Sequence, residues 1–414
     1  MLWQKSRNPQ PHCHIRNNMS ARFILPSKHE SKKWFIADGI LSSFTRTISC
    51  AQDWSELQEW INNHAGYKFG WISYAAGNEL KGVQLEADNR DSFPQLFFFV
   101  PKNLIQTDGQ SWHVISGQID DQLTECMDLR SAEQEETIQL SPEISREDYL
   151  DAVVQLKKHI QQGDIYEVNF CQIFSANKTI NHPLNLWKRL YNLTEAPHAV
   201  YAQYKQWHLL SASPERYIAK RNSHVFSQPI KGTIRRGQST AEDEKLKNDI
   251  YKSEKERSEN VMIVDLVRND MSHFAQKGTV KVDELFGVHT FKTVHHLVST
   301  ISCEVSQKVS FTDIVMASFP MGSMTGAPKR SAMQLIRQFE KSSRGLYSGS
   351  VGYITPEGDF DFNVVIRSIL YDSNLPKVSA GVGSAITAAC IPEFEYEECL
   401  LKADALFKAL SSQR

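Results

Sequence analysis

The chain has 414 residues, of which 41% are hydrophobic and 23% charged, which is typical of one large globular domain or two fused ones. Its formal net charge of −2 disfavours a nucleic-acid partner, and no apolar run reaches the roughly eighteen residues that a membrane-spanning helix needs. Seven scattered cysteines without a Cys-x-x-Cys pair indicate reduced thiols in a cytoplasmic protein, and disfavour a disulfide framework or a structural zinc.

The N-terminal third divides into a tail and a strand-rich region. Residues 1–18 carry positive charge without an apolar core and predict a disordered tail rather than a secretory signal, with Met19 as a candidate natural start. Residues 19–144 predict an N-terminal region packed partly on the remainder of the chain. Within it, polar and acidic residues 102–144 predict an exposed connection. Strand patterns and a helical pattern precede this connection, at 33–37, 69–73 and 96–100 and at 54–63.

Residues 145–414 predict a larger domain in which helices and strands alternate irregularly. Ser145 and Asp148 match a helix-capping pattern, and Gly163 is expected to end that helix. The mixture, with several short turns between strands, indicates an α+β protein with mostly antiparallel sheets. The later elements are predicted at 165–175 and 198–210 (strands), 217–220 with 224–227 (a hairpin), 241–274 (a helix), 325–328 (a helix start), 349–353 with 363–371 (paired strands) and 392–410 (a helix).

Two pairs of glutamates are spaced for one helix face each. Glu256 precedes Glu259 by three residues, and Glu395 precedes Glu398 by the same interval. If the two faces meet, four carboxylates offer the oxygen ligands that Mg²⁺ prefers. The alternative is ordinary solvated helix charge. Lys402, four residues after Glu398, continues its face.

Glycine-rich stretches and isolated cations suggest anion binding. The stretches 322–328 and 380–383 expose backbone N–H groups, which bind anions, although an ordinary turn is the alternative. Arg367 lies in an apolar run and requires an anionic partner, most often a structural carboxylate. Lys231, between Pro229 and Gly232, is by itself typical of a solvent-facing turn. A substrate with two carboxylates suits this set of groups.

Nine segments, in order, resemble the chorismate-utilising enzymes. The resemblance covers about residues 145–412 and implies a four-layer α/β/β/α sandwich around one deep site, in agreement with the α+β expectation. The segments are SPERY (213–217), PIKGT (229–233), SENVMIVDLVRND (258–270), HHLVSTI (295–301), FPMGSMTGAPK (319–329), YSGSVGYI (347–354), FNVVIRS (362–368), AGVG (380–383) and EYEECLLKA (395–403).

The resemblance also implies roles for individual residues. Glu259 and Glu398 would bind Mg²⁺ directly, with Glu256 and Glu395 acting through water, and the metal would bind the ring carboxylate of chorismate. The general acid would be Glu215. The other implied substrate-binding residues are Arg367, Tyr353 and the amides of Gly381 and Gly383 for the enolpyruvyl carboxylate, His296 and Thr325 along the ring, and Thr233, Gly326 and Lys402.

Two positions separate the activities within this family. Members that add water carry a lysine where this chain has Glu167, so isochorismate and salicylate synthesis are disfavoured. Ammonia-using members usually have glutamine there, so Glu167 is a departure. At the position of Lys231, alanine is typical of anthranilate synthases and lysine of aminodeoxychorismate synthases. The resemblance therefore implies component I of an aminodeoxychorismate synthase, with anthranilate synthase component I as the alternative.

The implied reaction begins with attack of the Lys231 amine on C2 of chorismate. Glu215 protonates the departing C4 hydroxyl, and ammonia then attacks C4 and expels the lysine, giving 4-amino-4-deoxychorismate for para-aminobenzoate and folate synthesis. The amine must be neutral, and burial and a nearby Mg²⁺ are both expected to lower its pKa.

Two further expectations concern where the ammonia comes from and whether the chain is catalytically active. No Gly-x-Cys-x-Gly turn occurs, so ammonia is expected from solution or from a separate glutamine amidotransferase subunit. A non-catalytic relative is the third reading. It would have lost an acid or a metal ligand, yet Glu215, Glu259 and Glu398 are all present.

Overall fold

The computed structural model describes residues 20–27, 33–48, 50–83, 93–119, 123 and 137–411. The predicted tail at 1–18 and Met19 lie outside these residues. Within them the strands are β1 Ala21–Ser27, β2 Lys33–Arg46, β3 Lys68–Ile72, β4 Leu96–Thr107, β5 Trp112–Ser116, β6 Ser141–Pro142, β7 Glu167–Asn177, β8 His198–Tyr204, β9 Trp207–Ser213, β10 Arg216–Arg221, β11 His224–Gln228, β12 Ile230–Arg235, β13 Lys281–Thr290, β14 Val294–Glu304, β15 Gly326–Ala327, β16 Ser350–Ile354, β17 Phe360–Val364, β18 Ser368–Asp372 and β19 Lys377–Thr387.

The helices flank these strands. They are α1 Ala51–Asn63, α2 Ala76–Leu80, α3 Arg146–Gln162, α4 Pro183–Thr194, α5 Thr240–Lys252, α6 Glu254–Ser272, α7 Phe311–Ser318, α8 Lys329–Phe339 and α9 Pro392–Leu410, with a 3-10 turn at Gly322–Met324. In the described part of the chain, none is long and apolar enough to cross a bilayer. Free thiols are carried by Cys50, Cys171, Cys303, Cys390 and Cys399.

The fold class is confirmed as an α+β, four-layer α/β/β/α sandwich. All strand pairs among the described residues are antiparallel, including the long β7–β19 pair and the β10–β11 hairpin that the sequence predicts. Side chains alternate between two cores, since Phe23 and Leu25 of β1 enter one while Ile24 enters the other. The first core is rich in aromatic rings, and the second is formed against α3, α4, α8 and α9.

The N-terminal strands pair with strands of the larger C-terminal part. β1 pairs with β8, and β3 pairs with β16. The predicted exposed connection at 102–144 is wrong for its first part, because β4 runs to Thr107 and buries Leu104 and Ile105. Residues 120–122 and 124–136 of that connection lie outside the described residues.

Element boundaries agree with the sequence where capping residues mark them. The Ser145 hydroxyl accepts a hydrogen bond from the Asp148 N–H at 3.0 Å, and Gly163 ends α3 with φ of 86°. The predicted helix over 241–274 is instead two helices, α5 and α6, which meet at Ser253. The predicted strand over 363–371 is also wrong, because Arg367 separates β17 from β18 with a left-handed φ of 51°.

Candidate active site

A cavity of about 1000 Å³ lies between β12, β14 and β19 on one side and α6 and α9 on the other. It is large enough for a drug-sized organic substrate. Most of the residues predicted from the sequence line it: Glu215, Lys231, Thr233, Glu256, Glu259, His296, Arg367, Gly381, Gly383, Glu398 and Lys402.

Lys231 is held in the cavity by an irregularity in β12. The register against β14 shifts by one residue between Ile230 and Thr233, and Gly232 takes a φ of 84°, so the predicted bend is a β-bulge within a strand. A Cβ on Gly232 would lie 2.9 Å from a carboxylate oxygen of Glu256. The bulge therefore brings Lys231 into the cavity beside α6 instead of exposing it as a turn residue.

The ammonium group of Lys231 is paired with a buried carboxylate. Lys231 Nζ lies 2.5 Å from Glu167 Oε1, and the two residues are only 8% and 1% exposed. Burial lowers the pKa of Lys231, but the negative charges of Glu167, Glu259 and Glu398 outweigh burial and raise it overall. The expectation of a lowered lysine pKa is therefore wrong for the protein without bound metal or substrate.

Glu215, immediately before β10, has the properties of a proton donor. Burial raises its pKa to about 7, while a hydrogen bond from Ser323 and the charge of Lys231 act in the opposite direction. The Ser323 hydroxyl donates to Glu215 Oε1 at 2.7 Å. A carboxyl group with this pKa is available in its protonated form near neutral pH.

Three of the four paired glutamates face the cavity, Glu256 and Glu259 from α6 and Glu398 from α9. Ser253 begins α6 by accepting a hydrogen bond from the Glu256 N–H at 3.3 Å, which sets the rotation of the helix. The glutamates repel one another electrostatically. Burial raises the pKa values of Glu256 and Glu395 most, and the negative charge of Glu398 raises both further. Burial also raises the pKa of Glu259 to about 7.

The donor set fits the Mg²⁺ that the family resemblance implies. Glu259 Oε1 is buried and accepts no hydrogen bond from the part of the chain that the structure describes, and Lys255 Nζ lies 3.9 Å from it. Among the described residues, no three His, Cys, Asp or Glu side chains form a ready-made metal cluster. Mg²⁺ usually takes only one or two carboxylates and keeps several waters, so a Glu259 and Glu398 pair suffices chemically.

A second set of groups suits a carboxylate of the substrate. Arg367 has no ion-pair partner within the described ranges and donates to the Lys402 carbonyl at 3.1 Å, contrary to the expected structural carboxylate. Burial lowers its pKa. Lys402 Nζ bonds the Gly383 carbonyl at 2.8 Å and Glu398 at 2.6 Å. The left-handed φ of Arg367 marks the local backbone strain that is frequent at functional sites.

His296 is a neutral, oriented side chain on the cavity wall. Burial, assisted by the charge of Arg367, lowers its pKa to about 3. Its Nδ1 lies 2.9 Å from the hydroxyl of Thr233 on the adjacent strand. The pair can offer polar contacts to a substrate without adding a charge.

Four predicted site residues do not line the cavity. Tyr353 is fully buried among Phe35, Phe69 and Tyr67 in the aromatic core. The others lie directly behind the wall: Thr325, which donates to the Met321 carbonyl, Gly326, which pairs with Val168 of β7, and Glu395, whose Oε1 lies 3.3 Å from Lys255 Nζ.

The cavity wall also contains residues that the sequence reasoning did not select. Tyr347, Ser323 and Asn169 line it. A Cβ on Gly381 would meet the Tyr347 ring at 2.4 Å, so the glycine is required by the close approach of this tyrosine. Tyr347 and Ser323 belong to the family segments 347–354 and 319–329, and Asn169 lies two residues after Glu167. The polar side chains at these positions were the signal that the sequence offered.

The sequence matches a known family along almost its whole length. Residues 2–408 match the family described as chorismate binding enzyme. The chain belongs to this family. Relatives named for different activities are comparably similar to it. Aminodeoxychorismate synthase of Arabidopsis thaliana is 33% identical over 94% of the chain, and aminodeoxychorismate synthase component 1 of Bacillus subtilis is 30% identical over 86% of it. Anthranilate synthase component 1 of Lactococcus lactis is 29% identical over 95% of the chain.

The share of each relative that is matched differs. The chain spans 46% of the Arabidopsis protein, 80% of the Bacillus protein and 92% of the Lactococcus protein. Among solved structures, anthranilate synthase component I of Streptococcus pneumoniae superposes with a TM-score of 0.75 at 22% identity, covering 98% of this chain and 95% of that one. The menaquinone-specific isochorismate synthase of Escherichia coli also gives 0.75, at 17% identity, covering 95% and 89%. These structures share the fold of the chorismate-binding family.

Proposed function

We propose that this chorismate-binding enzyme is component I of an aminodeoxychorismate synthase, which converts chorismate and ammonia into 4-amino-4-deoxychorismate. The observation that carries the proposal is the buried Lys231 amine, which lines the same cavity as the protonatable Glu215. Two relatives named aminodeoxychorismate synthase, at 33% and 30% identity, support it.

The groups in the cavity fit a two-displacement reaction. The Lys231 amine attacks C2 of chorismate while Glu215 protonates the departing C4 hydroxyl, which leaves as water. Arg367 and Lys402 provide positive charge for a substrate carboxylate on the same wall. Ammonia then attacks C4 and the C2–nitrogen bond breaks, which regenerates Lys231.

Glu259 and Glu398 would hold Mg²⁺ directly, with Glu256 and Glu395 acting through water. The bound ion would neutralise the ring carboxylate of chorismate. Negative charge is concentrated at this end of the cavity, since Glu398 raises the pKa values of Glu256 and Glu395 and Glu256 raises that of Glu259, in each case after the larger effect of burial. This arrangement orients the dianionic substrate with one carboxylate toward α6 and α9 and the other toward Arg367.

Ammonia is proposed to come from a separate glutamine amidotransferase subunit. The sequence has no Gly-x-Cys-x-Gly nucleophile turn, and the Bacillus relative is named as a component 1. The protein without that partner is then expected to use ammonium salts directly.

Anthranilate synthase component I is the second candidate. The Lactococcus enzyme of that name matches 95% of this chain and 92% of its own length, at an identity similar to that of the Bacillus relative. The two activities differ in the carbon that receives nitrogen, so the identity of the product distinguishes them.

The decisive experiment supplies purified protein with chorismate, Mg²⁺ and ammonium and identifies the product by mass and ultraviolet spectrum. We expect 4-amino-4-deoxychorismate, and no turnover when glutamine replaces ammonium. Lys231→Ala should reduce this product by about a hundredfold or more, since a nucleophile is lost. Lys231→Arg should not restore it, because guanidinium stays protonated. Anthranilate from the wild-type protein at a normal rate would transfer the assignment to the second candidate.

A further inference from the structure

The carboxylate that faces Lys231 has a single recorded hydrogen-bond partner. Glu167 Oε1 is 2.5 Å from Lys231 Nζ, whereas Glu167 Oε2 is buried and accepts no hydrogen bond from any described residue. A carboxylate with one oxygen unsatisfied in a buried site bears a desolvation cost. A pair serving only stability would be expected to satisfy both oxygens.

The backbone fixes Glu167 firmly at this position. β7 pairs with β15 on one side and β19 on the other, so Glu167 lies opposite both Ala327 and Thr387. A Cβ on Gly326 would lie 2.2 Å from the Glu167 carbonyl, which shows how closely the neighbouring strand approaches. The side chain therefore faces Lys231 from a rigid central strand, as precise proton transfer requires.

The other acidic groups near Lys231 are less suited to accept its proton. They are Glu215 before β10, Glu256 and Glu259 on α6, and Glu398 on α9. Glu215 accepts a hydrogen bond from Ser323 and is the proposed acid, and Glu398 is paired with Lys402 at 2.6 Å. Among these groups, Glu167 alone has a recorded hydrogen bond to Lys231.

We propose that Glu167 is the proton acceptor that converts the Lys231 ammonium into the attacking amine. This inference rests on the proposed function, in which Lys231 is the nucleophile. Glu167 takes one proton from Lys231, and the neutral amine forms the bond to C2 as the C4–oxygen bond breaks. Glu215 supplies the proton with which the hydroxyl leaves as water.

The remaining steps restore both residues. The lysine nitrogen in the adduct is a secondary ammonium. Ammonia forms the bond to C4, the C2–nitrogen bond breaks, and Lys231 leaves as a neutral amine that recovers its proton from Glu167. The new C4 ammonium returns a proton to Glu215. Chorismate and ammonia have then become aminodeoxychorismate and water, with no other reactant consumed.

The test measures the rate of adduct formation on Lys231 by intact-protein mass between pH 5.5 and 6.5. Chorismate is present and ammonia is absent, and Mg²⁺ is saturating at each pH so that protonation of Glu259 does not limit metal binding. For wild type we expect a nearly flat profile. In the Glu167→Gln variant, Lys231 must lose its proton to solvent. We therefore expect the rate of adduct formation to fall by about a hundredfold or more, and to rise about tenfold per pH unit. Glu167→Asp keeps a carboxylate and should keep the flat profile even if it is slower.

Two outcomes overturn the inference. If the Glu167→Gln variant forms the adduct at the wild-type rate or faster, the carboxylate only pairs with Lys231. If this variant is slow but its rate does not change with pH, Glu167 only positions Lys231 and does not take its proton. If Glu167→Gln does not fold, Glu167→Asp decides, because a profile rising tenfold per pH unit contradicts a carboxylate acceptor.

A matched control separates proton transfer from the loss of a buried ion pair. Asp270 and Lys329 form such a pair at 2.7 Å, both largely buried and outside the cavity wall. Asp270→Asn should keep the wild-type pH profile of adduct formation. Wild-type protein that forms no Lys231 adduct would overturn the proposed function and this inference together, whereas an adduct that is indifferent to Glu167 would overturn this inference alone.

Discussion

At the residue scale, the site contains two buried ionisable groups whose pKa values are both raised, for different reasons and with different consequences. Burial holds Glu215 as an acid with a pKa of about 7, and neighbouring carboxylates hold Lys231 as a cation despite its burial. Before substrate binds, Glu215 therefore carries a proton that it can donate. Lys231, the proposed nucleophile, is an ammonium group that must lose a proton before it can attack. Environments that assign separate acid and base roles in this way are typical of catalytic sites.

Ser323→Ala should move the alkaline limit of adduct formation upward by about one pH unit. The Ser323 hydroxyl bonds the ionised form of Glu215 and so lowers its pKa, and removing it leaves burial to raise the pKa further. Since Glu215 acts when protonated, the rate is present below its pKa and lost as pH rises through it. The measurement is the rate of adduct formation on Lys231, with chorismate and Mg²⁺ but without ammonia, against pH.

Ser318→Ala is the control for Ser323→Ala. It also removes a buried hydroxyl, but one that contacts Tyr217 at 2.6 Å and not Glu215. Its profile should match wild type. An alkaline limit that stays in place or moves down in Ser323→Ala would contradict the role of this hydrogen bond.

Most residues that the motifs predicted for the site line the cavity, and the exceptions have a physical reason. Tyr347 and Tyr353 occur in one short segment, and a motif does not tell which aromatic ring faces the cavity. The pleat and the pairing of β16 with β3 turn Tyr353 into the aromatic core, while Tyr347 precedes the strand and packs on Gly381. Those contacts depend on β2, β3 and β19, which lie far away in the sequence.

At the element scale, α6 shows what local sequence can and cannot specify. The continuous polar and apolar pattern predicted one helix over 241–274, yet Ser253 adopts an extended ψ of 112° and caps the following turn. Serine is favourable at such caps, so the signal existed in the sequence. The break matters because it gives α6 its own direction, which brings Glu256 and Glu259 to the cavity.

Asp270→Asn should lower the free energy of unfolding by about 3–5 kcal/mol, because it leaves the Lys329 ammonium buried without its partner. The pair connects the end of α6 to the start of α8, and Lys329 Nζ also donates to the Ser318 carbonyl at 2.8 Å. Urea unfolding measures the change. The double variant Asp270→Leu with Lys329→Met should lose less than the single one, and a single variant as stable as wild type would refute the argument.

At the scale of the whole molecule, composition and motifs predicted the class and the cavity but not the way the two parts join. The N-terminal strands enter the same antiparallel network as the rest, through β1–β8 and β3–β16. These pairings connect residues separated by more than a hundred positions, and single-sequence periodicity carries no information about such partners. The N-terminal region therefore forms part of the layers around the site.

The molecule also concentrates unfavourable charge between two of its helices, and the proposed metal should relieve it. Glu259 has a buried oxygen that accepts no hydrogen bond from the described residues, and burial raises its pKa from 4.5 to about 7. The folded state therefore loses stability as pH rises from about 4.5 to 7, and the full cost is present above 7. Below about 4.5 the carboxyl group is protonated in both the folded and the unfolded state, and the cost disappears. Binding of a divalent cation to the folded protein alone should therefore stabilise the whole sandwich.

We expect Mg²⁺ at a hundredfold excess over its Kd to stabilise the wild-type protein by about 2.7 kcal/mol, seen as a concentration-dependent rise in Tm at pH 8. EDTA should abolish turnover reversibly. Glu259→Gln should lose both the Mg²⁺-dependent rise and activity, yet without Mg²⁺ it should melt above wild type, because the buried charge is gone. Asp265→Asn, on the exposed face of α6 with Arg268, is the control and should retain the rise. A wild-type Tm indifferent to Mg²⁺, with activity surviving EDTA, would refute the metal site.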